Sequence, residues 1–241
     1  MVSSPSGLVT RLYTFFARRT ALRSLFSNTC LIVLLVCAFL PASSKAAEER
    51  KILVVGDSLS AGYGLAADEG WVALLAERLR EQGYGYVVVN ASITGDTTRG
   101  GLARLPGALD RHAPDLVIIE LGGNDGLRGI PIEELRSNLK RMITMAREAG
   151  AKVLLVSMRI PPNYGPGYAR KFEESFGALA RELEIGLAPF LLDNVALDDG
   201  LMQADGIHPN ARAQPVMLAN IWPAIQPMLY AAACHYTEKT L

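Results

Sequence analysis

Short, largely apolar runs recur along this chain at residues 52–55, 86–89, 116–121, 152–156 and 185–187. Each has the length of a strand. None shows the strict polar alternation of a sheet with one wet face, so each reads as a strand covered on both sides. The intervening segments have helical spacing. Residues 71–82 place Trp71, Leu74, Leu75 and Leu79 on one face before Gly83, and residues 131–148 repeat Ile132, Leu135, Leu139, Met142, Ile143 and Ala146 before Gly150. Residues 172–183 continue the pattern, and residues 214–229 form a strongly apolar last helix that Pro223 and Pro227 are expected to interrupt. Strands alternating with helices require parallel pairing and right-handed crossovers, which makes this an α/β chain with a central parallel sheet of about five strands. There are no internal repeats or low-complexity linkers, so residues 47–241 read as one domain.

The polar residues gather where these strands end, and ligands of open α/β sheets bind outside the carboxyl ends of the strands. Gly56-Asp57-Ser58-Leu59-Ser60 follows the first run. Taken alone, Asp57 and Ser58 read equally well as a polar turn that caps the next helix or as a hydroxyl presented to a crevice. Residues 90–97 form a polar connection after the second run, with Thr97 or Thr98 as a cap for a helix that Pro106 should kink or divide. The third run is apolar except for Glu120 and ends in Gly122-Gly123-Asn124-Asp125. Residues 159–167 hold three prolines and two glycines, an irregular loop at the crevice border. Ala61-Gly62-Tyr63-Gly64-Leu65-Ala66-Ala67 imitates a dinucleotide fingerprint, but its glycines do not open a helix directly after the strand, and the second strand ends in Asn90 where an acidic residue belongs.

Asp205-Gly206-Ile207-His208-Pro209 decides between the readings of Ser58. A histidine three residues after an aspartate and pinned by a proline can have its Nδ1 proton held by that carboxylate while Nε2 points away, as the base of a serine nucleophile requires. A lone Asp-x-x-His is more often a helix-start decoration, but here three other strand-end clusters offer complementary groups.

The ends of the chain carry different information. Residues 1–46 contain five basic residues and no acidic one, residues 30–40 are an unbroken apolar run of 11, and Ser44-Lys45-Ala46 supplies small residues at cleavage spacing. This is the pattern of a cleaved signal peptide, and the run is shorter than the roughly 20 residues needed to span a bilayer. Without the leader, 19 basic residues face 24 acidic ones, a formal charge of about −5, and no basic stripe remains for nucleic acid. Cys30 and Cys37 leave with the leader, so Cys234 has no disulfide partner and a Cys/His metal site is not expected.

The four segments around Ser58, Gly95, Asn124 and His208 together resemble the SGNH hydrolase (GDSL lipase/esterase) superfamily. The likeness runs over residues 51–226 and is closest to the periplasmic thioesterase, lysophospholipase and arylesterase group, which residues 90–97 and 101–106 also resemble. It implies a flavodoxin-like three-layer α/β/α sandwich, and chemistry without metal or cofactor. Ser58 would attack an acyl carbonyl, His208 would move the proton, and Asp205 would fix the imidazole. The resemblance further implies an oxyanion hole made by the N–H groups of Ser58 and Gly95 and the Asn124 amide, with Asp57 orienting the turn. The serine is not in a G-x-S-x-G elbow, since Ser60 stands where the last glycine would be.

Leu59, Leu127, Ile130, Ile160 and Pro161 are expected to flank the crevice with apolar surface. Such walls suit acyl esters, acyl thioesters and lysophospholipids better than sugars, leaving a carbohydrate O-deacetylase as the alternative enzyme. A non-catalytic flavodoxin-like binding protein would not need Ser58, Asn124 and His208 together. His112 and His235 lack an acidic partner at useful spacing and are expected at the solvated surface. A periplasmic or secreted monomer without a stable membrane anchor completes the expectation.

Overall fold

The computed structural model describes residues 49–229, so the leader with Cys30 and Cys37, and the tail with Cys234 and His235, lie outside the described residues. β1 (Arg50–Gly56) buries Leu53 and Val55 in one core and Ile52 and Val54 in another. The same alternation holds in β3 (Leu116–Glu120) and β4 (Lys152–Val156), as expected of strands covered on both faces. β2 (Tyr86–Asn90) and β5 (Gly186–Ala188) complete a five-stranded sheet of order β2-β1-β3-β4-β5, parallel throughout.

Helices cover both faces. α3 (Thr98–His112), α5 (Ile132–Glu148) and α6 (Pro166–Glu182) pack Leu105, Leu139, Met142, Phe172 and Phe176 against one side. α2 (Trp71–Glu81) and α7 (Gln214–Ile225) pack Trp71, Leu75, Leu79, Met217 and Ile221 against the other. This is the three-layer α/β/α sandwich that the family resemblance implies, built on the parallel sheet that the strand runs predict. The chain moves outward in one direction from β1 to β2 and in the other from β3 onward, so the β1/β3 boundary is the topological switch point where a crevice opens. Two one-turn helices mark that place: α1 (Ser58–Ala61) follows β1, and α4 (Gly123–Leu127) follows β3.

Three expectations about proline and loops are corrected. Pro106 does not divide α3, which runs unbroken for 15 residues. The proline lies on the exposed side, where water can satisfy the carbonyl it leaves unpaired, while Leu102, Leu105 and Leu109 hold the buried side. Pro223 likewise sits inside α7, and only Pro227 marks a change, to a 3₁₀ turn over Gln226–Met228. The loop after β4 is less irregular than its composition suggests: a 3₁₀ turn at Pro162–Tyr164 leads directly into α6, which starts at Pro166, where a proline ring is already set for a first helical turn. His112 ends α3 and is half-buried, not fully solvated.

Candidate active site

Ser58 opens α1 immediately beyond β1, and the turn that carries it is fixed by its neighbours. Asp57 caps the helix, its Oδ1 accepting the Leu59 N–H at 3.0 Å. Gly56 is required by crowding: a Cβ there would lie 2.6 Å from both Glu120 Oε2 and Ser60 Oγ.

His208 reaches Ser58 from the loop before α7, 150 residues later in the chain. Its Nε2 is 3.0 Å from Ser58 Oγ, and its Nδ1 is 2.7 Å from Asp205 Oδ2. The other Asp205 oxygen accepts the backbone N–H groups of Ile207 and His208, both at 2.9 Å. The backbone N–H of His208, then its ring, then the N–H of Ile207 hold the Asp205 carboxyl down at about 2. An ionised Asp205 only accepts, so Nδ1 carries the proton and Nε2 presents its lone pair to the serine hydroxyl. The loop is itself braced. Gln203 Nε2 donates to the carbonyls of Tyr63 at 2.7 Å and Pro209 at 3.0 Å, and the Tyr63 ring packs on the imidazole with centroids 4.3 Å apart.

Gly95 comes from the connection after β2. Residues 93–96 form a turn closed by the Asp96 N–H on the Ile93 carbonyl at 3.1 Å, with Gly95 at φ 77°, as the third position of a type II turn demands. The closing hydrogen bond uses the Asp96 N–H and not that of Gly95. Arg104 of α3 ties the segment down: its guanidinium donates to Asp96 Oδ2 at 2.7 Å, to the Ala91 carbonyl, and to the Gly56 carbonyl at 3.2 Å. One side chain thus joins the Gly95 connection to the end of β1.

Asn124 lies in α4, and its Nδ2 donates to Asp57 Oδ2 at 3.1 Å. This contact turns the amide's N–H edge, not its carbonyl, toward Asp57. Asp125 faces the other way, accepting the Thr98 N–H at 2.9 Å and the Thr98 hydroxyl at 2.5 Å, so the two connections that bear Gly95 and Asn124 are pinned together. Burial raises the Asp125 carboxyl above the ordinary aspartate range, and the Thr98 bonds oppose that rise. Burial also pushes Asp57 up to about 6, against the pull of Leu59, Asn124 and His208.

A cleft of about 1220 Å³ opens over these groups. Ser58, Gly95, Asn124 and His208 line it, Asp205 stands behind His208, and of the predicted apolar wall Leu59, Leu127, Ile160 and Pro161 are present. Ile130 is not. After Gly129 the chain turns back, the Ile130 N–H bonding to the Asp125 carbonyl at 2.9 Å and its own carbonyl accepting the Tyr168 hydroxyl at 3.0 Å, so Ile130 braces α4 against α6 away from the cleft. The wall includes residues that the sequence did not single out, among them Met158, Phe190, Leu192 and Leu197. Their segments carry no motif, and only the topology brings the connections after β4 and β5 to this place. Arg104, Tyr63 and Gln203 were missed for a similar reason. Among the described residues, no group of three His, Cys, Asp or Glu side chains could hold a metal ion.

The geometry can be set beside known proteins. The model of the GDSL-like lipase/acylhydrolase family matches residues 54–214, a span from β1 to the start of α7 that contains every group just described. The chain is 50% identical to esterase TesA of Pseudomonas aeruginosa over 208 residues, covering 86% of this chain and all of that protein. It is 42% identical to thioesterase 1/protease 1/lysophospholipase L1 of Escherichia coli K12 over 185 residues, 77% of this chain and 88% of that one. A crystal structure of the psychrotrophic esterase EstA from Pseudoalteromonas sp., inhibited by monoethylphosphonate, superposes with a TM-score of 0.71 at 40% identity, covering 74% of this chain and 97% of that chain. Likeness at this level over nearly all the described residues places the chain in the GDSL-like lipase/acylhydrolase family.

Proposed function

We propose that this chain is an exported serine hydrolase that cleaves carboxylic esters and acyl thioesters, lysophospholipids included, through an acyl-enzyme on Ser58. The observation that carries the reading is the continuous line from Asp205 through His208 to Ser58 Oγ, with its serine end at the mouth of an apolar-walled cleft. His208 Nε2 takes the hydroxyl proton as Ser58 attacks the carbonyl carbon, then returns it to the leaving oxygen or sulfur. Water repeats the sequence to release the acid. Charge that collects on the carbonyl oxygen meets the N–H groups of Ser58 and Gly95 and the Asn124 amide, donors fixed before the reaction begins; each is worth about 3 to 4 kcal/mol in the transition state of comparable sites. The acyl chain lies along Leu59, Leu127, Ile160 and Pro161. The named activities of the relatives, esterase and thioesterase/lysophospholipase, support the substrate class.

Residues 1–46 act as a cleaved leader, which delivers the enzyme to the periplasm or the medium. No helix among the described residues is long and apolar enough to cross a membrane. A fluorophosphonate probe tests the reading of the site: the wild-type protein should be labelled at one residue, mapped to Ser58, and Ser58→Ala should stay unlabelled and inactive. Labelling elsewhere, or hydrolysis by Ser58→Ala, would overturn it.

A further inference from the structure

β3 is apolar up to its last residue, where Glu120 is wholly buried. The carboxyl lies against the turn that carries Ser58. Oε2 accepts the Asp57 N–H at 3.3 Å and stands 2.5 Å from Ser60 Oγ, so one carboxyl holds residues on both sides of the nucleophile. Oε1 is buried and has no hydrogen-bond partner. No salt bridge reaches Glu120 among the described residues.

This geometry is wrong for an anion. An ionised carboxylate divides its charge between two oxygens, and one of them here would hold its share buried and without a protein donor. A second carboxyl, Asp57, is joined to it through the Asp57 N–H, and Arg104, which reaches the neighbouring Gly56 carbonyl, is spent on Asp96 and the carbonyls of Ala91 and Gly56. A neutral acid leaves only an unpartnered carbonyl oxygen. As the neutral acid, Oε2–H can donate to Ser60 Oγ across the 2.5 Å contact while the same oxygen still accepts the Asp57 N–H at 3.3 Å.

We propose that Glu120 is a positioning residue that works as the neutral acid, anchoring both flanks of the nucleophile turn while leaving the pair's single negative charge on Asp57, where it directs the Asn124 amide. The proposal rests on the roles assigned above to Ser58 and Asn124. Asp57 is the better place for the charge, since it has the Leu59 N–H and the Asn124 amide as donors and faces His208, with only a smaller opposing contribution from Asp96. Burial first, and the Asp57 carboxylate second, hold Glu120 well above the ordinary glutamate range. Glu120 would not touch substrate. It would act through Ser58's turn and through Asp57.

The test compares Glu120→Gln and Glu120→Ala with the wild type on a p-nitrophenyl ester, with active sites counted by the fluorophosphonate. The amide is neutral, and its oxygen in the Oε2 position accepts the Asp57 N–H and, once the Ser60 hydroxyl turns to donate, Ser60 as well, so kcat per labelled site should stay within about threefold of wild type from pH 6.5 to 8.5. Alanine should lose about thirtyfold or more in kcat with KM within about twofold, because the turn loses its anchor without losing the acyl wall. The proposal is overturned if glutamine loses as much as alanine, which would mean that the anion is needed, or if alanine keeps full kcat per labelled site, which would mean a purely structural role. Failure of the wild type to label would instead overturn the reading of Ser58. A measurement on the wild type covers a variant that does not fold: with selectively ¹³Cδ-labelled glutamate, one carboxyl resonance should remain protonated at pH 7, and ionisation of every glutamate by pH 6 would reject the proposal.

Discussion

Asn124 Nδ2 donates to Asp57 Oδ2 at 3.1 Å, between residues 67 apart that the β1/β3 pairing brings together. The bond assigns the amide its direction only while Asp57 is an acceptor. Once protonated, Asp57 can donate instead, and the amide can turn its carbonyl to meet it, which would put an acceptor where the proposed oxyanion hole needs a donor. Burial pushes Asp57 up to about 6, so this change falls close to neutrality. The acid-side fall of kcat/KM should therefore include Asp57, and in Asp57→Asn that fall should lose one proton from its slope. An identical acid limb in both proteins would remove Asp57 from the pH response.

The same burial predicts a trade of stability against activity. With a folded value of about 6 against an ordinary 3.8, Asp57 favours folding fully below pH 3.8, and that contribution is lost as pH rises through 6. The loss amounts to about 3 kcal/mol above pH 7 for a shift of roughly two units. Asp57→Asn avoids it, so the variant should gain up to about 3 kcal/mol relative to wild type at pH 8 and almost nothing at pH 4, while losing kcat. Urea unfolding at the two pH values reads the difference. An equal gain at both would assign it to packing.

Replacing Asn124 by alanine should lower kcat about a hundredfold or more and change KM little, because the amide is asked to act when the oxyanion forms. The loss should be the same for every acyl chain length. A defect confined to KM would make Asn124 a ground-state contact.

Arg104 offers a test of how the hole is held. Its guanidinium serves Asp96 and two carbonyls at once, a fork that the single ammonium of lysine cannot copy. Arg104→Lys should lower kcat about tenfold or more with KM nearly unchanged, and should lower Tm, since Asp96 is largely buried and would lose its closest partner. Full activity at a lowered Tm would show that the Gly95 turn holds its shape unaided.

Much of this was readable from the chain. Five strand runs, the order of the motifs and the pairing of Asp205 with His208 are local patterns, and local patterns survive folding when the core has the matching two-sided burial. What escaped depends on where side chains end. Ile130 has the right composition for the cleft wall and lies four residues from Gly126, but one left-handed glycine at 129 turns the chain and removes it. Glu120 stands out in the sequence as a charge in an apolar strand, yet only the register of Gly56 with Glu120 shows that it meets the nucleophile turn. Pro106 and Pro223 are helix breakers by rule, and the rule yields because each occupies an exposed position on a helix whose other face is fully packed.

Asp205→Asn separates the two halves of the work proposed for His208. The folded Asp205 carboxyl is held at about 2, so its contribution to stability is present above pH 3.8 and is lost only as pH falls through about 2. Protonation of Asp205 therefore cannot produce an activity loss near neutrality, and the substitution is the way to remove its charge. An asparagine can accept through its oxygen or donate through its nitrogen, so it can stabilise the imidazole tautomer that points a proton at Ser58, and it cannot stabilise the imidazolium. The fold should survive, because Oδ1 can still accept the Ile207 and His208 N–H groups. An alkyl ester needs His208 first as base and then as acid, and its kcat/KM should fall by about 10² to 10⁴. A p-nitrophenyl ester or a thioester has a leaving group that scarcely needs a proton, so its loss should be smaller. The measurement is kcat/KM for both proteins on aryl and alkyl esters of one acyl group, with circular dichroism to confirm folding. Equal losses on the two substrates would confine Asp205 to the base step, and unchanged rates on both would leave the imidazole to be oriented by the Tyr63 ring packed against it.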